Sequence, residues 1–244
     1  MKVKYKEIDL GQTLSITMEN VFSNDLEKNR QKNLLHQIIL DWEITECKKL
    51  MEKIGIKNGN KIIDFGCGYG HYTLPCALAL NDTGKVYAID RYNEPLKWIK
   101  KKAKLFNVNN IETVKTEGSL EIGFSDKSID IVLLYDIIHG EDVKTKESIR
   151  FSLYKESHRV LKKNGILSVL NFDSDIKKIS PNKDKRIETI YRDINKEIIE
   201  AGFKFSHSVN NGVHFDDYHD NKKMNKVLLF SELERGVIYN FTKK

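Results

Sequence analysis

Residues 61–70 read KIIDFGCGYG, a short apolar run that ends in an acid and is followed by three alternating glycines. Glycines permit backbone angles and close approaches that a Cβ atom prevents, so this turn can lie directly against a ligand. A second apolar run, residues 86–89, ends at Asp90, about 20 residues further on, where nucleotide-binding folds place the acid that binds ribose hydroxyls. The pattern predicts a strand, a tight turn and a helix around a nucleotide-like ligand.

The spacing of the glycines indicates what kind of nucleotide binds. Dinucleotide sites use GxGxxG and hold a pyrophosphate at a helix N-terminus, whereas this turn reads GxGxG with Asp64 two residues before the first glycine. A carboxylate at that position repels a pyrophosphate but suits an ammonium group. The turn therefore favours a ligand that carries positive charge.

The motif DFGCGYG at residues 64–70 resembles the first motif of the class I S-adenosylmethionine-dependent methyltransferases. Residues 128–139 resemble the fourth strand of that family, and residues 159–167 resemble its following helix, turn and fifth strand, so the likeness covers about residues 45–172. The resemblance implies an α/β fold with a doubly wound, mostly parallel, seven-stranded Rossmann-like sheet and an N-terminal helical cap. It also implies that the cofactor is S-adenosylmethionine.

The same resemblance implies roles for individual residues. Asp90 corresponds to the acid that binds the ribose, and Arg91 lies beside the adenine. Residues 117–119 occupy the place of the loop at the adenine edge, but they read Glu-Gly-Ser where the family more often has Asp-Ala, so the residue that meets the adenine amine is left open. The predicted cofactor-binding set is Asp64, Gly66, Cys67, Gly68, Gly70, Asp90, Arg91, Glu117, Gly118, Ser119 and Tyr135.

Methyl transfer from a sulfonium is an in-line displacement, so the protein must orient the acceptor, exclude water and, where needed, remove a proton. A base is expected beyond the carboxyl end of the fourth strand, where open α/β sheets build their sites. Asp136 and His139 stand there and are the predicted catalytic residues. The alternatives are that Asp136 caps the following helix and that His139 is an ordinary loop histidine.

Composition sets the class of protein. With 244 residues, of which 40% are hydrophobic, the chain is long enough for one well-buried α/β domain with additions. The cysteines, Cys47, Cys67 and Cys76, are odd in number and have no zinc-site spacing, which favours a reduced, cytoplasmic setting. The N-terminus has no long apolar stretch, so we expect neither a signal peptide nor a membrane span.

The expected organisation has three parts. Residues 1–45 form a helical cap or lid, residues 46–172 form the S-adenosylmethionine-binding core, and residues 173–244 complete the sheet around an insertion near 210–235. The apolar stripe from Leu34 to Ile54 predicts a helix, straight or bent, that ends at Gly55. Trp42 and His36 on this stripe are candidates for lining the pocket, with core packing as the alternative.

Further elements follow from periodicity and turn signals. Helices are expected at about 72–80, from Asn93 to about Phe106 and at about 184–201, and strands at about 112–115, 129–135, 166–172, 203–209 and 236–241. The second of these helices carries five lysines that are expected to form a solvated face: Lys97, Lys100, Lys101, Lys102 and Lys104.

The insertion contains imidazoles and carboxylates, which are ligand types for metals, but it lacks cysteine and helical histidine spacing. A polar surface loop or a substrate-facing loop is favoured there over a metal site, and no metal is predicted. The residues concerned are His214, Asp216, Asp217, His219 and Asp220.

The favoured function is methyl transfer from S-adenosylmethionine to a small-molecule acceptor at oxygen, nitrogen or carbon. An RNA or protein methyltransferase is the alternative, because the net charge is +6 and residues 177–186 are basic. Against it, residues 134–137 lack the Asn/Asp-Pro-Pro-aromatic motif that adenine and cytosine N-methyltransferases of similar sequence carry after this strand. A third hypothesis is a non-catalytic, cofactor-binding regulator or scaffold.

Overall fold

A seven-stranded sheet is the framework of the protein. The computed structural model describes residues 39–138, 149–170, 183–210 and 237–244. The strands are β1 (Lys61–Phe65), β2 (Lys85–Asp90), β3 (Ile111–Lys115), β4 (Ile129–Tyr135), β5 (Leu161–Leu170), β6 (Phe203–Asn210) and β7 (Val237–Lys243). Their order across the sheet is β3-β2-β1-β4-β5-β7-β6, and β7 runs antiparallel to both of its neighbours, β5 and β6. The doubly wound, mostly parallel sheet predicted from the sequence is confirmed.

Helices cover both faces of this sheet. They are α1 (Lys48–Ile54), α2 (Thr73–Ala79), α3 (Asn93–Leu105), α4 (Ile149–Val160) and α5 (Lys183–Glu200). A π-helical turn, Glu43–Cys47, and helical residues 39–42 lead directly into α1, so the predicted helix is present over its described part. It ends at Gly55, whose left-handed φ of 108° lets the chain turn into β1. Residues 34–38 lie outside the described part of the chain.

The core divides into two layers because successive strand residues point to opposite faces. On β4, Leu133 packs into the layer under α1 and α2, with Met51 and Leu74, whereas Val132 packs into the layer under α4 and α5. Central strands covered on both faces are expected to be apolar throughout, as IVLL in β4 is. The sheet therefore holds the turns at its carboxyl edge on a rigid base.

Two local expectations are corrected. β5 begins at Leu161, five residues before the predicted start, because Ile129 pairs with Leu161 and Ile131 with Ile166, a bulge that the left-handed Asn164 (φ 62°) accommodates. Lys102 was expected on the solvated face of α3, but it is buried, because it lies one helical turn after Ile99 on the inward face. The other four lysines of that set are exposed.

Among the helices of the described residues, none combines the length and the apolar character that crossing a membrane requires. The predicted partition at residues 45/46 and 172/173 stays a prediction. The insertion near 210–235 lies, apart from Asn210, outside the described residues.

Candidate functional site

The candidate site lies at the carboxyl ends of β1, β2 and β4. The chain proceeds from β1 outward to β2 and β3, and then returns to the other side of β1 to form β4 and β5. At such a switch point the following loops diverge and leave a crevice, which is where open α/β sheets bind their ligands. The glycine turn after β1 occupies this point.

Backbone hydrogen bonds hold the glycine turn against the end of β2. The N–H groups of Gly66 and Cys67 both donate to the carbonyl oxygen of Ile89, at 2.8 and 3.0 Å. All three glycines have left-handed φ angles, 72° at Gly66, 47° at Gly68 and 75° at Gly70, which other residues adopt only with strain. The conformation of the turn therefore depends on glycine.

The glycines differ in what a side chain would meet. A Cβ added at Gly66 would lie 2.4 Å from Cγ2 of Ile137, and one added at Gly70 would lie 2.6 Å from Cγ1 of Ile99. At Gly68 the added atom would have no described atom within 4 Å. The outer glycines thus allow close packing of the turn, and the middle glycine faces open space that a ligand can fill.

Asp90 lies directly beneath the middle of the turn and is buried. Its Oδ2 accepts the Gly68 N–H at 2.9 Å, and its Oδ1 accepts the Tyr92 N–H at 2.8 Å. The neighbouring Arg91 is exposed, and its guanidinium lies 4.7 Å from the centre of the Tyr92 ring. The structure therefore brings together Asp90 and Gly68, which the sequence predicted as parts of one site.

Asp64 is a second buried acid under the same turn. Its Oδ2 accepts a hydrogen bond of 2.5 Å from the hydroxyl of Thr73, the first residue of α2. Burial raises the pKa of this carboxyl to about 6; the Thr73 bond opposes the rise and the nearby Asp90 carboxylate adds to it. Two acids in one buried position favour the approach of a cation. Burial also raises the pKa of the Cys67 thiol, so this cysteine stays protonated.

The predicted adenine-edge residues lie in an exposed loop after β3. The carboxylate of Glu117 pairs with Lys115 Nζ at 2.7 Å, and this hydrogen bond lowers its pKa. Gly118 has a left-handed φ of 91°, and Ser119 Oγ accepts the Glu121 N–H at 3.0 Å. The loop leaves space at Gly118, where an added Cβ would meet no described atom within 4 Å.

Tyr135 ends β4 with its side chain inside the protein. Its hydroxyl forms a 2.8 Å hydrogen bond with Ser168 Oγ on β5, and burial raises its pKa well above the usual range. Its ring contacts the edge of Tyr72 at a centroid distance of 4.6 Å, and Tyr72 contacts Trp42 at 5.8 Å. The predicted pocket residue Trp42 is therefore part of an aromatic row that connects the N-terminal helix to the end of β4.

Asp136 follows Tyr135 at the mouth of the crevice and is half-buried. Its φ of 54° is left-handed, a conformation that aspartate tolerates better than most residues, and its N–H donates to Leu170 O at 2.8 Å. The backbone is thus held while the side chain stands at the end of β4. His139, the other predicted catalytic residue, lies outside the described residues, as do His36 and the histidine and aspartate cluster of the insertion.

A buried charge network beside the turn was missed by the sequence analysis. Glu43 is at its centre. Lys102 Nζ lies 3.0 Å from both carboxylate oxygens of Glu43, and His71 Nδ1 lies 2.6 Å from Glu43 Oε1. Lys102 Nζ also donates to the carbonyl of Gly70 at 3.3 Å. One signal was available, because Glu43 and Lys102 each occupy a position of an otherwise apolar helical stripe. Among the described residues, no group of three or more acids, histidines and cysteines could hold a metal ion.

A model of the methyltransferase domain family matches residues 56–226 of this chain, which include the glycine turn, Asp90 and the end of β4. The chain belongs to this family. The match confirms the resemblance to S-adenosylmethionine-dependent methyltransferases on which the sequence analysis relied.

Curated relatives are methyltransferases of different substrates. This methyltransferase-domain protein is 29% identical over 135 residues to the probable cobalt-precorrin-6B C(15)-methyltransferase (decarboxylating) of Saccharolobus solfataricus, covering 55% of this chain and 60% of that protein. It is 29% identical over 120 residues to the demethylmenaquinone methyltransferase of Geobacillus stearothermophilus, covering 49% and 48%. The chain thus spans about half to three-fifths of the length of these relatives.

Solved structures agree on the fold. A SAM-dependent methyltransferase from Aquifex aeolicus superposes with a TM-score of 0.56 at 18% identity, covering 83% of this chain and 92% of that one. The geranyl diphosphate C-methyltransferase of Streptomyces coelicolor A3(2), in complex with Mg²⁺, geranyl diphosphate and S-adenosyl-L-homocysteine, gives 0.60 at 11% identity, covering 87% and 84%. At these identities the likeness shows the methyltransferase-type fold of this protein.

Proposed function

We propose that this protein binds S-adenosylmethionine and transfers its methyl group to a small-molecule acceptor at oxygen, nitrogen or carbon. The observation that carries the proposal is the pairing of Asp90 with Gly68. The buried carboxylate accepts the N–H of the one glycine in the turn at which an added Cβ would meet no described atom within 4 Å. A ligand that lies on this turn would therefore meet an acid at its base, as a ribose site requires.

The charge of the site supports this cofactor over a dinucleotide. Asp64 and Asp90 are both buried beneath the turn, and the Asp90 carboxylate disfavours the ionisation of Asp64. A pyrophosphate would add negative charge to them, whereas a sulfonium or an ammonium group compensates them. In the proposed assignment Asp90 binds the ribose, Arg91 lies beside the adenine, and the turn from Gly66 to Gly70 contacts the amino-acid portion.

The remaining predicted cofactor residues have more indirect roles in this proposal. Glu117, Gly118 and Ser119 form the exposed loop that would close over the adenine edge. Tyr135 supports the site from beneath, because its hydroxyl is hydrogen-bonded to Ser168 and its ring packs against the ring of Tyr72. Residues 1–45 are proposed as the cap, 46–172 as the cofactor core and 173–244 as the completion of the sheet.

When bound, S-adenosylmethionine supplies a methyl group on a sulfonium, and the carbon–sulfur bond breaks as the acceptor lone pair forms the new bond. The protein orients the acceptor and receives any proton that it loses. Asp136 is the described residue best placed for this role, because it stands half-buried at the end of β4 with its backbone held by Leu170. His139 is proposed as the second candidate on the basis of sequence alone.

The acceptor class is proposed from the relatives. Two relatives are named as methyltransferases of a cobalt-precorrin and of demethylmenaquinone, and a structural neighbour as a geranyl diphosphate methyltransferase, which makes three chemically different small molecules. This range supports a small-molecule acceptor without selecting one. Transfer to RNA or protein is the competing outcome, and it has an electrostatic basis in the +6 net charge.

Calorimetric titration tests the cofactor site. Wild type is expected to bind S-adenosylmethionine and S-adenosylhomocysteine, and Asp90→Ala is expected to lose at least about tenfold in affinity, because a ribose hydroxyl bond to a charged group is lost. Asp126→Ala is the matched control, since this exposed acid precedes β4 at the opposite end of the sheet. Absence of binding by wild type would refute the proposed function.

Label transfer tests the acceptor. Protein incubated with methyl-labelled cofactor is expected to label small molecules of a cell extract, and not the RNA or protein fractions. Asp136→Asn, assayed at saturating cofactor with the acceptor so found, is expected to lower kcat by about 100-fold if the carboxylate receives a proton. An unchanged kcat would remove Asp136 from proton transfer. Cofactor binding without transfer to any fraction would favour a regulator or scaffold.

A further inference from the structure

The network of Glu43, His71 and Lys102 connects three segments that are distant in sequence. Glu43 belongs to the π-helical turn before α1, His71 directly follows the glycine turn, and Lys102 belongs to α3. The side chains are 1%, 13% and 10% exposed, so the charges are almost completely removed from water. The π-helical turn itself is a rare feature, and such turns occur mostly as single bulges within α-helices, frequently at functional sites.

Stability alone is a weak explanation for this network. The free-energy cost of removing an ion pair from water is about as large as the attraction gained between the two charges. An apolar pair of similar volume therefore often stabilises a protein equally well. What an apolar pair cannot do is bind a backbone carbonyl. Lys102 Nζ donates to the Gly70 carbonyl, which also accepts the Leu74 N–H at 3.3 Å where α2 begins.

The network thus acts on the end of the proposed cofactor turn. Gly70 O is bound from one side by α2 and from the other by Lys102, and His71 is bound to Glu43. Both contacts lead to a single carboxylate on the N-terminal helix. Movement of Glu43 would therefore remove one partner from both Lys102 and His71, the residues that bind and follow the end of the turn.

We propose that Glu43 and Lys102 are positioning residues for the cofactor turn, which couple the N-terminal helical segment to cofactor binding. This inference rests on the proposed function. It assigns to the N-terminal segment a direct share in cofactor affinity, in addition to any part that it plays in covering an acceptor.

A double-mutant cycle separates positioning from stability. Glu43→Gln leaves the buried Lys102 ammonium without its carboxylate, and Lys102→Met leaves the Glu43 carboxylate with His71 but without Lys102, so each is expected to lower the Tm. The double variant removes both charges, so its Tm should recover most of the loss. Its Kd for S-adenosylmethionine, measured by calorimetry, should nevertheless stay about tenfold above that of wild type, because Lys102 no longer binds Gly70 O.

Exposed residues of the same helix supply the control. Glu46 and Lys49 form an ion pair of 2.8 Å in which both side chains are more than 60% exposed. Glu46→Gln combined with Lys49→Met is expected to change neither Tm nor Kd noticeably. Glu43→Asp is a further variant that keeps all charges but shortens the side chain by one methylene, and it should raise Kd at least about threefold.

The outcomes distinguish this proposal from the function on which it rests. Failure of wild type to bind the cofactor would refute both. Binding by wild type, with a Glu43→Asp variant that binds equally well, would refute positioning and leave the proposed function intact. A double variant whose Kd returns to the wild-type value together with its Tm would also refute positioning and assign the network to stability.

Discussion

Replacing Asp64 by asparagine should stabilise the protein at neutral pH while it weakens cofactor binding. Asp64 is buried, and burial raises its pKa from 3.8 to about 6 in the folded state. The folded protein therefore keeps a proton that the unfolded chain has released between about pH 4 and pH 6. Within that window the free energy of unfolding falls as the pH rises, and above it the ionised carboxylate leaves the fold less stable.

The size of the effect follows from the pKa shift. A rise from 3.8 to about 6 corresponds to about 3 kcal/mol at pH values above both. About 2 kcal/mol of this should develop between pH 4.5 and pH 7.5. Asparagine has nearly the same shape and carries no charge, and its Oδ1 can still accept the hydrogen bond from Thr73. Asp64→Asn should thus gain up to about 3 kcal/mol at pH 7.5 and much less at pH 4.5.

Urea denaturation of wild type and Asp64→Asn at several pH values between 4.5 and 7.5, without cofactor, measures the difference. Taking the difference removes the contributions of all groups that the two proteins share. Asp130→Asn is a matched control: Asp130 bonds Lys162 Nζ and the Lys61 N–H, each at 2.7 Å, so this variant should be less stable than wild type. The change in free energy of unfolding relative to wild type should therefore be negative for Asp130→Asn and positive for Asp64→Asn.

A pH-independent difference between wild type and Asp64→Asn would refute the electrostatic explanation. Calorimetry with S-adenosylmethionine supplies the second half of the test. If the ionised carboxylate compensates the cationic cofactor, the more stable variant should bind at least about tenfold more weakly. Equal affinity would show that the charge of Asp64 takes no part in cofactor binding.

Three further substitutions test the packing that supports the site. Gly66→Ala should lower the free energy of unfolding by about 2 kcal/mol or more, because the new Cβ would lie 2.4 Å from Ile137 Cγ2 at a φ of 72°. Tyr135→Phe should lower it by about 1 to 2 kcal/mol through loss of the buried bond to Ser168 and leave cofactor affinity within about twofold. Arg159→Met should lower it by about 2 kcal/mol, since the guanidinium donates to two carbonyl oxygens of the loop before β4 as well as to two carboxylates.

Denaturation with urea measures each of these changes, and the chain offers controls. At Gly123 an added Cβ would meet no described atom within 4 Å, so Gly123→Ala should be nearly neutral. Lys162→Met removes a single, partly exposed ion pair and should change stability by less than about 1 kcal/mol. A Gly66→Ala protein as stable as Gly123→Ala, or an Arg159→Met protein as stable as Lys162→Met, would contradict the corresponding explanation. For Tyr135→Phe, a large loss of cofactor affinity would instead place the hydroxyl in the site.

The order of elements and the position of the glycine turn could be predicted because they depend on local patterns. Apolar runs such as residues 61–65 and 129–135 are followed by a glycine or an acid, and a backbone that must turn left-handed favours glycine, as in the turn after β1. Asp90 could be placed for the same reason, since the length of the first crossover brings the end of β2 beside the turn. Such signals lie within one strand–helix–strand unit and can be recognised without knowledge of the rest of the chain.

Tertiary structure alone decided the environment of the charged groups. Lys102 lies on the apolar stripe of its helix, and its burial is made favourable by Glu43, 59 residues away, and by the Gly70 carbonyl. The role of Tyr135 beside the cofactor stays a prediction, and the bond of its hydroxyl to Ser168 on another strand could not be predicted from the sequence. The pKa of Asp64 likewise depends on its burial and on Thr73 and Asp90, which the fold brings beside it. A charge in water and the same charge in the interior differ by several kcal/mol, and that difference is set by long-range packing that no local pattern encodes.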